Sequence, residues 1–400
     1  RLPEKSNAFG AAVLGDRLYV LGGHIGDAHN SSIDALLRGF RRLDLGDPQA
    51  LWKDVNSPNV PIQQSSLVVY QGRIHRLGGL TAKNRQDQAK DLYTLSDFAV
   101  YDDAADSWQE LPGMPTTRAS QSATVIDDVL YVIGGWKISG GTGTQMYHQT
   151  WLSLDLTQKP LAWQEHAQPF QVRDHCAGTA GGKLYVLGGM HSGMFPSAGW
   201  VYDPKADRWD TGPDLPAHTP VQGFGCAAVS LLGTIFFTAA DGVVFRLNAA
   251  GTGWDQVAPM KVPRAFHALV ARSEHELIAL GGAVAGRLQV PDERARRGRR
   301  LPHARHPADR SRCDAARRTV RRRGTDDAVH RAARLQAHGR TLGIHAAHRH
   351  RRRARWRVRL PVGPRRTAAA RRARADHRVR RARHRHAGVR SDAAETCAGR

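Results

Sequence analysis

The stretch Arg17-Leu18-Tyr19-Val20-Leu21-Gly22-Gly23 decides the fold, because the chain repeats it. Each copy is a short β-branched and aromatic run that ends in two small residues, which is typical of a buried strand followed by a turn. The double glycine predicts a backbone that needs positive φ, or one that approaches another strand too closely for a Cβ atom. Further copies follow at intervals of roughly 40–56 residues, at 73–79, 129–135, 183–189, 234–240 (where alanines replace the glycines) and 276–282.

Each copy is the second strand of a predicted four-stranded unit. A strand of small and apolar residues precedes it, and two strands follow, the first ending in a pair such as Tyr101-Asp102 and the second carrying a tryptophan such as Trp108. Four-stranded sheets repeated about an axis form a β-propeller, so the sequence predicts an all-β, six-bladed propeller whose last blade is incomplete. The predicted propeller spans 1–283, with blades at about 7–59, 60–115, 116–169, 170–217, 218–260 and 261–283.

With these glycines, tyrosines and tryptophans in register, residues 7–283 resemble the kelch-repeat propellers, whose period is about 50 residues. The resemblance is closer to bacterial kelch proteins of the exported type, and more distant to N-acetylneuraminate epimerase and the propeller domain of galactose oxidase. It implies the propeller fold and an exported, periplasmic or extracellular protein. It leaves the activity open, because kelch propellers include both enzymes and binding modules.

The formal net charge of +23 is carried by the last part of the chain. Residues 291–400 hold 35 Arg, no Lys and 9 acidic residues, whereas the preceding part holds 24 basic and 27 acidic residues. The propeller itself therefore gives no electrostatic reason to expect nucleic acid as a partner. The Arg/Ala/His-rich composition of 284–400 predicts a disordered tail, and its onset in mid-repeat favours sequence read out of frame. The alternative is a basic arm that binds nucleic acid or an anionic surface.

The remaining composition narrows the class of protein. Cys176 and Cys226 lie in inner strands of neighbouring units, and we interpret them as small buried hydrophobes rather than as a disulfide or a ligand pair. No stretch approaches the roughly 18 consecutive apolar residues of a membrane span. No leader is visible, but the chain opens on Arg1, so we expect its true start to lie upstream. We expect a monomer without a cofactor.

Candidate site residues come from the loops that meet at one end of the propeller axis. Loops on a rigid scaffold commonly carry function, and the loops after the second strand are long in the first three units (24–39, 80–97 and 136–149), which predicts a wall beside an axial pocket. The residues expected to bind a ligand there are Arg118, Arg173, Arg264, Trp136, His191, His24, Asp174, His175 and His267.

The chemistry of these residues favours a carboxylated sugar, because guanidinium binds carboxylate in a bidentate manner and indole stacks on a pyranose face. Arg118, Arg173 and Arg264 are expected at equivalent positions and thus to converge on one opening. The alternative for any such Arg or His is a structural one, in which the side chain satisfies backbone carbonyls of a blade. A set of His24, Asp27 and His29 could ligate a metal, but polar loops usually hold such residues for solvent, so no metal is predicted.

Two functions of different classes remain open. The favoured one is a non-catalytic kelch binding module for a glycan, acidic glycans included, or for a protein partner. The alternative is a sugar epimerase or mutarotase resembling N-acetylneuraminate epimerase, which needs an acid and a base flanking the anomeric centre. The pocket loops offer aspartates and histidines but no glutamate, so no catalytic residue is assigned. A copper oxidase is disfavoured because Cys176 and Cys226 follow Tyr147-His148, the reverse of the order in galactose oxidase.

Overall fold

The computed structural model describes residues 2–26, 31–141, 143–216, 221 and 223–284, together with the backbone of 357–359. Five sheets of four antiparallel strands follow one another along the chain, and in each sheet the strands lie side by side in sequence order. The strands are Gly10–Leu14, Arg17–Leu21, Phe40–Asp44 and Lys53–Val55 in blade 1; Ser66–Tyr70, Arg73–Leu77, Phe98–Asp102 and Ser107–Leu111 in blade 2; Ser122–Ile126, Val129–Ile133, Thr150–Asp155 and Gln164–Ala167 in blade 3; Cys176–Ala180, Lys183–Leu187, Trp200–Asp203 and Arg208–Thr211 in blade 4; and Ala227–Leu231, Thr234–Thr238, Val243–Leu247 and Trp254–Pro259 in blade 5.

A sixth sheet has three strands. Ala268–Ser273 pairs with Glu276–Leu280, as the repeat predicts, and Arg357–Arg359 pairs antiparallel with the other side of Glu276–Leu280. A short ladder between Arg264–Ala265 and Ala283–Val284 lies beside it. The rest of the tail predicted to be disordered lies outside the described residues.

A closed circle of backbone hydrogen bonds joins the six blades just before their first strands. In each blade one residue with positive φ donates its N–H to the carbonyl of the equivalent residue in the preceding blade, over 2.6 to 3.3 Å. Ala8 of blade 1 donates in turn to Phe266 of the sixth sheet (3.2 Å), so the six sheets close one ring about an axis. The six residues, called the ring residues below, are Ala8, Gln64, Ser120, Asp174, Gly225 and Phe266.

The double glycines lie where each blade meets the next one. Gly22 and Gly78 have φ values of +59° and +52°, and a Cβ atom on either would collide with the carbonyl oxygen of Ile62 or Arg118 in the following blade. The next residue, Gly79, donates its N–H to that same carbonyl of Arg118 (2.8 Å). Both reasons inferred from the sequence for the paired glycines, positive φ and close approach, are therefore confirmed.

In blade 2, Tyr101 and Trp108 stabilise the outer half of the blade and its junction with the preceding blade. The Tyr101 hydroxyl donates to Asp106 (2.6 Å) in the turn of its own blade, and Trp108 Nε1 donates to the Asn56 carbonyl (2.9 Å) of the preceding blade. Apolar clusters fill each space between neighbouring blades, including the junction of blade 1 with the sixth sheet, where Leu18 meets Val270. Among the residues just described, no helix is long and apolar enough to cross a bilayer.

Candidate binding site at the axial opening

The long loops of blades 1 to 3 pack together into a layer of their own, called the crest below. It contains the 3-10 helix Ile33–Ala35, the hairpin of Leu80–Ala82 with Leu92–Thr94, and the two-residue pair of Trp136–Lys137 with Met146–Tyr147. Backbone hydrogen bonds connect the loops, from Ile33 to Asn84 (2.9 Å) and from Thr94 to Ile138 (3.1 Å). The crest has its own apolar core, formed by Leu36, Leu80, Ala82, Leu92, Ala119, Trp136 and Ile138.

The segments that lead into the first strands carry the three predicted arginines, but at two different distances from the ring residue of the blade. Arg118 and Arg264 each lie two residues before their ring residue, whereas Arg173 lies one residue before its own. Because successive side chains of an extended segment point to opposite sides, this single step reverses the direction of the side chain. The expected convergence of three arginines on one opening is therefore wrong.

Arg118 and Arg264 point into their blades and bond backbone carbonyls. Arg118 is completely buried and donates to Gly134 O (2.9 Å), Thr150 O (2.8 Å) and Thr150 Oγ1 (2.9 Å). Burial lowers the pKa of its guanidinium to about 10. Arg264 donates in the same way to Gly281 O (2.7 Å). The structural alternative considered for these arginines thus describes both of them, and neither presents a free guanidinium to the opening.

Arg173 instead lies on the surface of the crest, in what we call the rim cluster: Met146, Tyr147, Arg173, His191 and Met194. Its guanidinium carbon lies 4.8 Å from the ring centroid of Trp136 and 5.8 Å from that of Tyr147. The Tyr147 and His191 rings are 5.1 Å apart. Arg173 also forms an ion pair with Asp174 (3.5 Å), so the charge of this guanidinium is compensated.

Several predicted site residues are buried beneath the opening. Trp136 and His24 are each 4% exposed, and the Trp136 ring is covered by Arg173. Burial lowers the pKa values of both His175 and His267 to about 3, so both rings are neutral at pH 7. His267 Nε2 lies 2.6 Å from Thr238 Oγ1, whereas neither ring nitrogen of His175 has a hydrogen-bond partner among the described residues. These histidines belong to the interior of the propeller.

The described residues contain no group of three or more His, Cys, Asp or Glu side chains arranged to hold a metal ion. Two members of the metal set considered from the sequence, Asp27 and His29, lie outside the described residues.

Sequence reasoning missed the apolar part of this surface. Met146 and Met194 are 51% and 65% exposed, although both are large and apolar. Three partly buried phenyl rings continue the surface across blades 4 to 6, with centroids 5.0 Å apart for Phe195 and Phe224 and 4.8 Å apart for Phe224 and Phe266. We call these three the phenyl row. The available signal was a methionine inside the polar loop Gly-Thr-Gly-Thr-Gln-Met-Tyr (141–147), where few neighbours can cover it.

Comparison with known proteins agrees with the fold. A family model described as Kelch motif matches residues 172–216. Kelch-like protein terF of Aspergillus terreus is 25% identical over 309 residues, covering 70% of this chain and 62% of that protein. Beta-scruin of Limulus polyphemus is 27% identical over 235 residues, covering 58% of this chain and 24% of that protein. The chain thus spans less than two thirds of the length of these curated relatives.

A solved structure, that of YjhT, superimposes with a TM-score of 0.55 at 14% identity, covering 71% of this chain and 92% of that one. At this identity the likeness concerns the fold alone. The closed ring of blades, the repeated glycines with their Tyr and Trp partners, and these matches make the chain a kelch-repeat β-propeller.

Proposed function

We propose that the chain is a binding module that engages a protein partner through the rim cluster and the phenyl row. The observation that carries the proposal is the pair of exposed methionines: Met146, adjacent in sequence to Tyr147, and Met194, whose backbone pairs with that of His191. Kelch propellers are typically protein-binding modules, and this face is where the irregular loops of the ring accumulate.

The composition of this face supports a protein partner. The cores of protein–protein interfaces are enriched in aromatic residues, Met and Arg, and a few such residues usually dominate the affinity. Methionine is flexible and polarisable, and therefore adapts to different apolar groups of a partner. Phe195, which follows Met194 in the sequence, contacts Phe224 and adds aromatic surface beside it.

A carboxylated glycan, the other ligand considered from the sequence, is supported less well. Recognition of a carboxylate requires an uncompensated guanidinium, whereas Arg173 is paired with Asp174 and Arg118 is fully buried. A sugar that stacks on indole requires an open ring face, whereas Trp136 is 4% exposed. No observation in this cluster favours the sugar epimerase alternative, and the anomer-equilibration assay below tests it.

Selection from a random peptide display library, in parallel with a glycan array, tests the proposal. We expect the protein to enrich peptides with apolar anchor residues, and the double variant Tyr147→Ala/Met194→Ser to bind those peptides at least tenfold more weakly, since interface anchors each contribute roughly 1–2 kcal/mol or more. Leu51→Ser is the matched control, because Leu51 is 80% exposed but follows the third strand of blade 1, outside the rim cluster.

Equal peptide binding by the double variant and the wild type would place the binding surface elsewhere. Binding on the glycan array alone, lost in the same variant, would replace the protein partner by a glycan. Acceleration of anomer equilibration of N-acetylneuraminic acid or common hexoses, followed by NMR, would instead make the chain an epimerase or mutarotase.

A further inference from the structure

Two thiols meet at the junction of blades 4 and 5. The Sγ atoms of Cys176 and Cys226 lie 3.0 Å apart, and both side chains are buried, at 7% and 8% exposure. Two unbonded sulfur atoms rarely approach so closely, whereas a disulfide bond needs about 2.05 Å. A shift of about 1 Å between the sulfur atoms therefore separates this pair from a covalent link.

The same register links other neighbouring blades. In blades 2 and 3, Ser66 Oγ donates to the Gln121 carbonyl (3.0 Å), and in blades 3 and 4, Ser122 Oγ donates to the His175 carbonyl (3.2 Å). Each hydroxyl lies two residues after its ring residue, and each acceptor lies one residue after the next ring residue. Cys176 lies two residues after the ring residue of blade 4, and Cys226 lies one residue after that of blade 5. In blades 2 and 3, the side chain at the position of Cys176 bonds the following blade, so this register brings neighbouring blades into contact.

We propose that Cys176 and Cys226 form a disulfide that links the inner edges of blades 4 and 5 when the protein is exposed to a disulfide donor. One thiolate attacks a sulfur of the donor and releases one donor thiol, giving a mixed disulfide. The second cysteine thiolate then attacks the bonded cysteine sulfur, forming the Sγ–Sγ bond and releasing the second donor thiol. The two electrons of the cysteine thiols reduce the donor disulfide, and the two protons pass to the released donor thiolates.

The surroundings determine how this reaction proceeds. Burial raises the pKa of the Cys176 thiol, so the folded protein holds little thiolate there and reacts slowly. An internal disulfide between two buried cysteines is likewise shielded from reductants once formed. The folded blades hold the sulfur atoms together, and the native state should therefore favour the disulfide over the two thiols more strongly than the unfolded chain does.

The experiment compares the thiol–disulfide equilibrium in the native and the denatured protein. The experiment uses the full chain with the two substitutions Cys313→Ser and Cys397→Ser. These two cysteines lie outside the described residues, and their thiols would otherwise react as well. The protein is equilibrated with mixtures of reduced and oxidised glutathione, with and without guanidinium chloride. Thiols are then blocked with N-ethylmaleimide, and intact masses are measured. Trypsin should yield the disulfide-linked pair of peptides 174–183 and 209–246.

We expect the equilibrium constant for forming the disulfide to be at least tenfold larger in the native than in the denatured protein. The oxidised protein should melt higher than the reduced one, on the order of 5 °C, and dithiothreitol under denaturing conditions should remove the difference. Cys226→Ser in the same background should melt at one temperature in both redox buffers. An equilibrium constant that is equal or smaller in the native state, or an oxidised form that melts lower, would overturn the proposal and leave the cysteines as small buried hydrophobes.

Discussion

Arg118 and Arg173 show how one residue of register separates a structural side chain from a surface one. Arg118 donates to the carbonyls of Gly134 and Thr150 inside blade 3, whereas the side chain of Arg173 is 20% exposed and its guanidinium lies over Trp136. The two substitutions to alanine should therefore differ in their effect on the free energy of unfolding.

Arg118→Ala should destabilise the protein by about 3 kcal/mol or more, because it removes charge-assisted hydrogen bonds and leaves two buried carbonyl groups unpaired. Arg173→Ala should cost no more than about 1 kcal/mol, the range of a partly exposed cation–π contact. Denaturation in guanidinium chloride measures both. A loss at Arg173 equal to that at Arg118 would contradict these roles.

At this scale the sequence predicted which segments lead into the first strands but not the directions of their side chains. Arg118, Arg173 and Arg264 all precede a first strand, yet the distance to the ring residue differs by one. Those loops have no period that fixes their register, in contrast to the strands, where alternation does so. The polar loop 141–147 was a signal for the exposure of Met146, whereas the exposure of Met194 depends on tertiary packing.

At the scale of the element, the second strands of blades 1 to 4 and of the sixth sheet are each followed by a glycine that two separate constraints require. Gly78 combines positive φ with a carbonyl of the following blade at the place of a Cβ atom. Gly72, in the turn between the first two strands of the same blade, has a φ of +72° and open space around that place. Substitutions at Gly72 and Gly78 thus separate the cost of backbone strain from the cost of a steric collision.

Gly72→Ala should cost about 1 kcal/mol, from the unfavourable left-handed backbone of alanine. Gly78→Ala should cost more than about 3 kcal/mol, since the Arg118 carbonyl belongs to a backbone held by the neighbouring blade and cannot move cheaply. Thermal and chemical unfolding of the two variants measures the difference. Equal costs would mean that the blades separate easily enough to admit a methyl group.

The repeats predicted the elements well, because each of the first five units contains the sequence signals of its own four strands and of the turns between them. The structure has five four-stranded blades, and its sixth sheet contains the pair Ala268–Ser273 and Glu276–Leu280. The crest could not be predicted in the same way. Its contacts, such as that of Ile33 with Asn84, join loops of different blades, whose sequences follow no common pattern.

At the scale of the whole molecule, buried neutral histidines make stability depend on pH. Burial lowers the pKa values of His75 and His148 to about 4 and those of His175 and His267 to about 3. In the unfolded chain these groups have a pKa of about 6.5, so between pH 6.5 and about 4 the unfolded state binds more protons than the folded state. Stability is therefore fully present above about pH 6.5 and is lost as the pH falls.

The free energy of unfolding should decrease from pH 7.5 to pH 5. Below pH 6.5, each of these histidines should lower it by up to about 1.4 kcal/mol per pH unit. Urea denaturation at several pH values measures this slope. His267→Gln should reduce this slope, because it removes the contribution of one titrating group. His275→Gln, on an exposed turn, serves as the control. A free energy of unfolding that does not change between pH 7.5 and pH 5 would contradict the prediction.

The circle of ring residues also bears on the order of events during folding. Five of its hydrogen bonds join blades that are neighbours along the chain, whereas the bond from Ala8 to Phe266 joins residues roughly 260 positions apart. Contacts of such long range are slow to form because the intervening chain must first be ordered. A ribosome also releases the first segment long before the sixth sheet exists. Blade 1 must therefore keep its inner edge free for most of synthesis, and pulse-labelled hydrogen exchange should find the amide of Ala8 protected last among the six.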